Sequence, residues 1–273
     1  MEAQFIPGLV NNLILTFCLS MGVQVVNWIV NMRTGDATIA DWWWGTGYGV
    51  IALFTYFNTY GEGVESRKLL VVVLALLWGL RLSYHLVKRS RDEKEELRRY
   101  TAYRALAKHP SQVKWILLRK IFALQGLMMW ITSLPLQAIQ FYAGPPVLGW
   151  FAYIGAAVWL IGCALEWYTD AELTRFKKDP SKKGQVLDTG FWRYTRHPNY
   201  VGEAVLWWGI FIIACDNFTA GWWTVFSAIR MHHRMAYRKG IAPLEKDIAS
   251  RRPGYAAYMA RTNRFYPWFP RKN

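Results

Sequence analysis

Arg193, Arg196 and His197 stand directly before Pro198-Asn199-Tyr200-Val201-Gly202-Glu203 and an apolar run that opens at Ala204. Guanidinium groups match phosphate oxygens bidentately, so the basic trio suits a phosphate-bearing ligand. Proline fits the first turn of a helix. In a helix starting there, Asn199, Glu203 and Trp207 follow at i, i+4 and i+8 and share one face. An amide and a carboxylate could hold a carboxamide or a ribose, and the indole could stack on a flat ring. A carboxylate inside an apolar helix is costly, and ionisable residues in such places mark functional sites. The plainer alternative is an interfacial cap beside a packed Trp, with Glu203 paired to an arginine and the basic trio at lipid headgroups.

Other positions could add to this chemistry. Glu166 and Asp170 are again four apart, and two acids on one face repel unless a cation or a hydrogen-bonding ligand lies between them. They could accept from ribose hydroxyls or an adenine amine, or form an ordinary solvated helix end. Asp41 opens the run Trp42-Trp43-Trp44-Gly45. It could cap a helix, or be an acid whose pKa rises on burial and which donates a proton. Arg81 and Tyr84 lie one turn apart on one face. His232 and His233 are adjacent and cannot face one another on a helix. Cys18, Cys163 and Cys215 all sit in apolar segments, with no CxxC or His/Cys spacing. Neither a metal site nor a disulfide framework is expected. Gly45 and Gly49 have the four-residue spacing of close-packed membrane helices. No strand precedes them, so they are not read as a nucleotide loop.

The elements that must position these residues are membrane helices. Of the 273 residues 53% are hydrophobic and 16 are Trp, and several apolar runs reach the roughly 20 residues a spanning helix needs. Seven segments are expected, at about 7–30, 42–60, 68–87, 115–138, 147–169, 199–215 and 217–235, the fourth kinked or ended by Pro135. The last two should form a tight helical hairpin at Asp216-Asn217. The net charge of +15 is concentrated beside these segments. Residues 88–120 carry eleven Lys/Arg against four acids, and residues 230–273 eleven against two. The outer loops hold only Arg67 and Lys68 as basic residues. That asymmetry places the amino terminus outside or in a lumen and the carboxyl terminus in the cytoplasm. It assigns the charge to membrane lipids rather than to nucleic acid. The expectation is an all-α, multi-pass bundle of about seven helices, one membrane domain over 1–273, ending in a basic tail.

The pattern Gly190-Phe-Trp-Arg-Tyr-Thr-Arg-His-Pro-Asn-Tyr-Val-Gly-Glu203, with Asp41-Trp-Trp-Trp-Gly45 and Trp78-Gly-Leu-Arg81 upstream, resembles the DUF1295 branch of the steroid 5-alpha-reductase-like membrane proteins. The tail, Pro243-Leu-Glu245, Tyr255, Tyr258 and Pro267, is similar too, so the resemblance extends from about residue 36 to 270. It implies a seven-helix reductase that holds NADPH in a cavity open to the cytoplasm and reduces a carbon–carbon double bond in a steroid, sterol or related lipid. By that resemblance Asn199 and Glu203 contact the nicotinamide end, Trp207 lines it, and Asp170 binds the adenosine portion. Arg193, Arg196, His197 and His232 surround the diphosphate or ribose, and Tyr200 belongs to the same cofactor-binding segment. Asp41 and Tyr84 are the nearest counterparts of the proton-donating pair, with Trp78 the alternative at the tyrosine's place. Isoprenylcysteine carboxyl methyltransferases carry a similar RHPxY pattern and a Glu … Tyr-x-x-Tyr tail, so S-adenosylmethionine is the alternative cofactor. A non-catalytic lipid-binding membrane protein is the third reading.

Overall fold

The computed structural model describes all residues except 1, 94–97, 142–143, 145–146, 218–220, 238–244, 246–247, 251 and 272–273, and omits the side chains of 2–5, 93, 98 and 99. Of the resemblance motif in the tail, Pro243 and Leu244 therefore lie outside the described residues. The described residues form helices and turns, with no strand among them. In chain order the α-helices are α1 (Glu2–Thr34), α2 (Ile39–Asn58), α3 (Glu65–Glu93), α4 (Arg98–Arg104), α5 (Pro110–Leu117) and α6 (Leu124–Thr132). They continue as α7 (Leu134–Ala138), α8 (Trp150–Lys178), α9 (Pro198–Ala214), α10 (Val225–Tyr237) and α11 (Gly254–Arg261). A π-helical turn, Leu118–Ala123, joins α5 to α6.

Among the described residues four helices are long and apolar enough to cross a membrane: Ile6–Thr34, Glu65–Asp92, Pro110–Thr132 and Trp150–Lys178. The other three expected spans fall outside that group. α9 has 17 residues and α10 has 13, while α2 is rich in Trp, Tyr and Gly, which weigh little in hydropathy. The break expected near Pro135 is present: α6 stops at Thr132, and Pro135 sits in the first turn of α7. Part of the expected tight hairpin after α9, residues 218–220, lies outside the described residues; beyond it a 3-10 turn at Trp222–Thr224 leads into α10 at Val225.

The chain packs as two compact units, Met1–Ala152 with Ala214–Ser227, and Tyr153–Ile213 with Ala228–Asn273. In the first unit α2 and α3 meet through glycine. A Cβ added to Gly45 would lie 2.3 Å from the Gly79 carbonyl oxygen, and one on Gly49 2.8 Å from Leu76. Arg67 and Lys68, expected in an outer loop, are buried. Arg67 Nε pairs with Asp216 at 2.7 Å, and Asp216 also accepts from the backbone N–H groups of Gly149 and Ala152. Lys68 Nζ donates to the Thr59 carbonyl at 2.7 Å. Both cations thus serve the termini of neighbouring helices, whose carbonyl and N–H groups otherwise lack partners.

One face of α1 is polar along its whole length. Asn12, Thr16, Ser20, Gln24, Asn27 and Asn31 are all buried, and at 100° per residue they fall within about 120° of arc. In the first half, Asn12 Nδ2 donates to Thr55 and Gln137 at 3.1 and 3.0 Å, Thr16 donates to Gln137 at 2.7 Å, and Ser20 donates to the Gly126 carbonyl at 2.9 Å. Interhelical bonds of this kind contribute roughly 0.6–2 kcal/mol each in a membrane setting. The helix ends at Gly35, whose positive φ of 77° lets its N–H turn back to the Asn31 carbonyl at 2.8 Å.

Candidate functional site

In the second unit α8 and α9 run antiparallel with their backbones in contact. A Cβ on Gly155 would meet the Gly209 carbonyl oxygen at 2.6 Å, and one on Gly162 the Leu206 nitrogen at 2.4 Å. On the facing helix, a Cβ on Gly202 would meet the Glu166 nitrogen at 2.6 Å, and one on Gly209 the Trp159 nitrogen at 2.6 Å. The glycines recur every seventh residue on both helices, that is, about every two turns. Small residues at such spacing let membrane helices approach this closely.

This approach brings Asp170 of α8 to Asn199 of α9, whose Nδ2 donates to Asp170 Oδ1 at 3.0 Å. The Asn199 side-chain oxygen is buried and has no hydrogen-bond partner. Glu166, Asp170, Glu203 and Trp207 are all buried. Glu166 and Asp170 are therefore not a solvated helix end, and the face Asn199–Glu203–Trp207 points into protein as its spacing predicts. Trp192, in the 3-10 turn Gly190–Arg193 ahead of α9, is buried with its indole N–H unpartnered. The same unit thus holds an unpaired acceptor and an unpaired donor. Buried polar groups left this way are uncommon and call for an explanation.

The basic trio divides. Arg196 is clamped: Nε and Nη2 donate to the two oxygens of Glu245 at 2.7 and 3.0 Å, and Nη1 donates to the Met259 and Thr262 carbonyls at 3.1 and 2.6 Å. A guanidinium has five N–H donors, so little of this one is left for a phosphate. The expectation of Arg196 as part of a phosphate fork is corrected here: it fastens the tail. His197 Nε2 lies 3.0 Å from Glu245 Oε1, and its ring stacks on Tyr200 with centroids 5.2 Å apart. Arg193 remains exposed. His232 lies beside Trp208, which donates to its Nδ1 at 3.3 Å, and its Nε2 is 3.1 Å from the Tyr266 hydroxyl.

The tail completes this frame. Thr195 donates to the Phe265 carbonyl at 2.8 Å, the Arg196 N–H to the Asn263 carbonyl at 2.9 Å, and the Tyr258 hydroxyl to the Trp192 carbonyl. Burial pushes the Glu245 carboxyl up, but the hydrogen bonds and charges of His197 and Arg196 outweigh it and hold the group at about 2. Burial, with Glu245 adding to it, pushes the Tyr255 phenol up to about 12. The sequence reading named Glu245 only as part of the tail motif and gave it no role in the site. Besides that motif, its signal was to be one of two acids in a stretch of eleven basic residues.

The two expected proton donors belong to the first unit. Asp41 is buried in the first turn of α2, where Oδ1 accepts from Gln125 Nε2 at 3.2 Å. Thr38, not Asp41, is the N-cap residue. Tyr84 is 68% exposed, with Lys88 Nζ 5.7 Å from its ring centroid. A phenol on the outside of α3 cannot hold a proton in a dry pocket, so the expectation for Tyr84 is corrected. Tyr48, a buried phenol, lies seven residues after Asp41 on α2 and is tilted against Trp78 with centroids 5.7 Å apart. The two-turn spacing from Asp41 was visible in the sequence. No group of His, Cys, Asp and Glu among the described residues could hold a metal ion.

Comparison with known proteins agrees with the motif. An uncharacterized protein of Schizosaccharomyces pombe is 23% identical over 284 residues, covering 94% of this chain and 80% of its own length. No solved structure matches. A family described as proteins of unknown function, DUF1295, matches residues 27–262, a span that holds α2 to α11 and the site above except Asn263, Phe265 and Tyr266. The chain belongs to the DUF1295 family.

Proposed function

We propose that this protein is an NADPH-dependent membrane reductase that transfers a hydride to a carbon–carbon double bond of a steroid, sterol or related lipid. The observation that carries the reading is the polar wall of buried Asp170 and Glu203 and half-buried Asn199, whose side-chain oxygen is buried and has no partner. A nicotinamide carboxamide would donate to that oxygen, and ribose hydroxyls to the carboxylates. Bound NADPH supplies the hydride, while the chain orients the ring and excludes water. Trp207 offers the flat surface for the ring. Arg193, exposed beside this wall in sequence, is the guanidinium left for phosphate. In this reading α2, α9 and α10 also cross the bilayer, seven spans in all, with the tail in the cytoplasm.

The test is titration of the purified full-length protein in lipid nanodiscs with NADPH and, separately, S-adenosylmethionine. Saturable NADPH binding is expected. Asn199→Ala should weaken it about tenfold, the loss of one buried hydrogen bond, with the protein still folded but melting somewhat earlier, since the bond to Asp170 is lost as well. Arg193→Ala should reduce the preference for NADPH over NADH, and an unchanged preference would return Arg193 to lipid headgroups. Asp41→Asn should bind NADPH normally but turn over more slowly. Full turnover would leave Asp41 as a partner of Gln125 only.

One observation favours a second reading. Arg196 is held by Glu245 and two carbonyls, so the site is poorer in phosphate-binding groups than its sequence. S-adenosylmethionine has ribose hydroxyls and cationic groups to offer Asp170 and Glu203, and no phosphate. Saturable binding of the methyl donor alone would establish a methyltransferase of the isoprenylcysteine carboxyl methyltransferase type. Binding of neither would leave a lipid-binding protein.

A further inference from the structure

The polar face of α1 has two halves with different fates. In the first, every named amide and hydroxyl meets a partner on α2, α6 or α7. In the second, both amide atoms of Gln24 and the Nδ2 atoms of Asn27 and Asn31 are buried with no hydrogen-bond partner. Their helix is long and apolar enough to span a bilayer, where water cannot compensate a missing partner. Helix and face are the same and both halves are polar, so interhelical fastening accounts for the first half and not the second.

A second observation lies opposite. Ser20 bonds the Gly126 carbonyl and Trp28 Nε1 bonds the Lys114 carbonyl at 2.9 Å each. Gln24 and Asn27 lie between these levels, and so face the π-helical turn Leu118–Ala123. Such turns interrupt the regular ladder and recur at functional sites. Just beyond it, Gln125 gives its N–H to Asp41 and keeps a buried oxygen without a partner.

We propose that this half of the α1 face, opposite the π turn, binds the headgroup of a neutral, hydroxyl-bearing lipid. Gln24 offers both a donor and an acceptor, which only a group that itself donates and accepts can satisfy. A hydroxyl does so from one atom, whereas a carboxylate only accepts and an ammonium only donates. From Gln24 to Asn31 the face extends about 10 Å along the axis, room for a head with more than one hydroxyl. The three α1 side chains are uncharged, which disfavours ionic heads. This site goes beyond the nucleotide reading and does not depend on it.

The experiment uses the full-length protein in nanodiscs, without nucleotide, and three probes: monooleoylglycerol, oleate and the hydrocarbon octadecene. Monooleoylglycerol is expected to bind saturably, oleate more weakly, and octadecene no better than bulk lipid. The double variant Gln24→Leu/Asn27→Leu should weaken monooleoylglycerol about tenfold and unfold no earlier than the wild type, since it removes polar atoms that have no partner. Asn12→Leu should keep probe binding and melt several degrees earlier, because it breaks an existing network. Equal binding of all probes, saturable binding of none, or undiminished binding by the double variant would each overturn the proposal. So would a double variant that melts as early as Asn12→Leu, which would make these amides structural fasteners. NADPH titration of the same preparation is a separate readout, so failure of one reading does not decide the other.

Discussion

Glu245→Ala is expected to detach the carboxyl-terminal tail from the mouth of α9 and to cost about 3–5 kcal/mol, the usual penalty for breaking a buried ion pair from one side. The reason is the residue left behind. Arg196 and His197 would face a cavity, and the Arg196 side chain is only 11% exposed. The depressed carboxyl points the same way. The carboxyl is held at about 2 against an ordinary value of 4.5, which corresponds to about 3 kcal/mol of stability. Because the folded value is depressed, that contribution is complete above pH 4.5 and is lost as pH falls from there toward 2. Glu245→Gln, which keeps the shape and removes the charge, should lose most of this and flatten the acid limb. The checks are thermal unfolding between neutral and acid pH and trypsin cleavage after Arg261 and Arg264. A tail cut no faster in Glu245→Ala than in the wild type would mean that the Tyr258 and Thr195 hydrogen bonds suffice without the ion pair.

That clamp also shows where sequence reasoning ends. The face Asn199, Glu203, Trp207 was legible because helical period alone decides it, and burial of all but the half-exposed Asn199 follows from its apolar surroundings. The close approach at Gly45 was legible for a similar reason: glycine spacing is local. The partner of Arg196 was not, since Glu245 lies 49 positions away and no local pattern marks which of many arginines an acid will meet. Reading Arg193, Arg196 and His197 as one fork counted charges without their neighbours. Tyr84 was assigned by resemblance to a tyrosine on the third helix, while the side α3 turns toward α2 is set by Gly79 meeting Gly45. The polar face of α1 was overlooked because averaged hydropathy hides it. Asn12, Thr16, Ser20, Gln24, Asn27 and Asn31 are few among apolar neighbours, yet they keep to one arc. The π turn has no sequence signal that we can identify.

Gly202→Ala should be among the most damaging single methyl additions in the second unit. Its Cβ would lie 2.6 Å from the Glu166 nitrogen and 2.7 Å from the Gly162 carbonyl oxygen. Both are backbone atoms, so no side chain can rotate away and α8 must move off α9. Overpacking of this kind costs about 1–3 kcal/mol and more where backbone is the obstacle. It is opposed by only ~1 kcal/mol from replacing glycine by alanine in a helix. The displacement would also part Asn199 from Asp170, now 3.0 Å apart, and with them the wall that the cofactor reading requires. Gly22→Ala supplies the control: nothing lies within 4 Å of its Cβ, so it keeps the propensity gain alone. Melting temperatures of the two variants should therefore move in opposite directions, and nucleotide affinity should fall only in Gly202→Ala. If Gly202→Ala melted with the wild type and bound NADPH equally well, the backbone contact between α8 and α9 would not be what holds the site together. The buried acids of α8 would then owe their position to the tail.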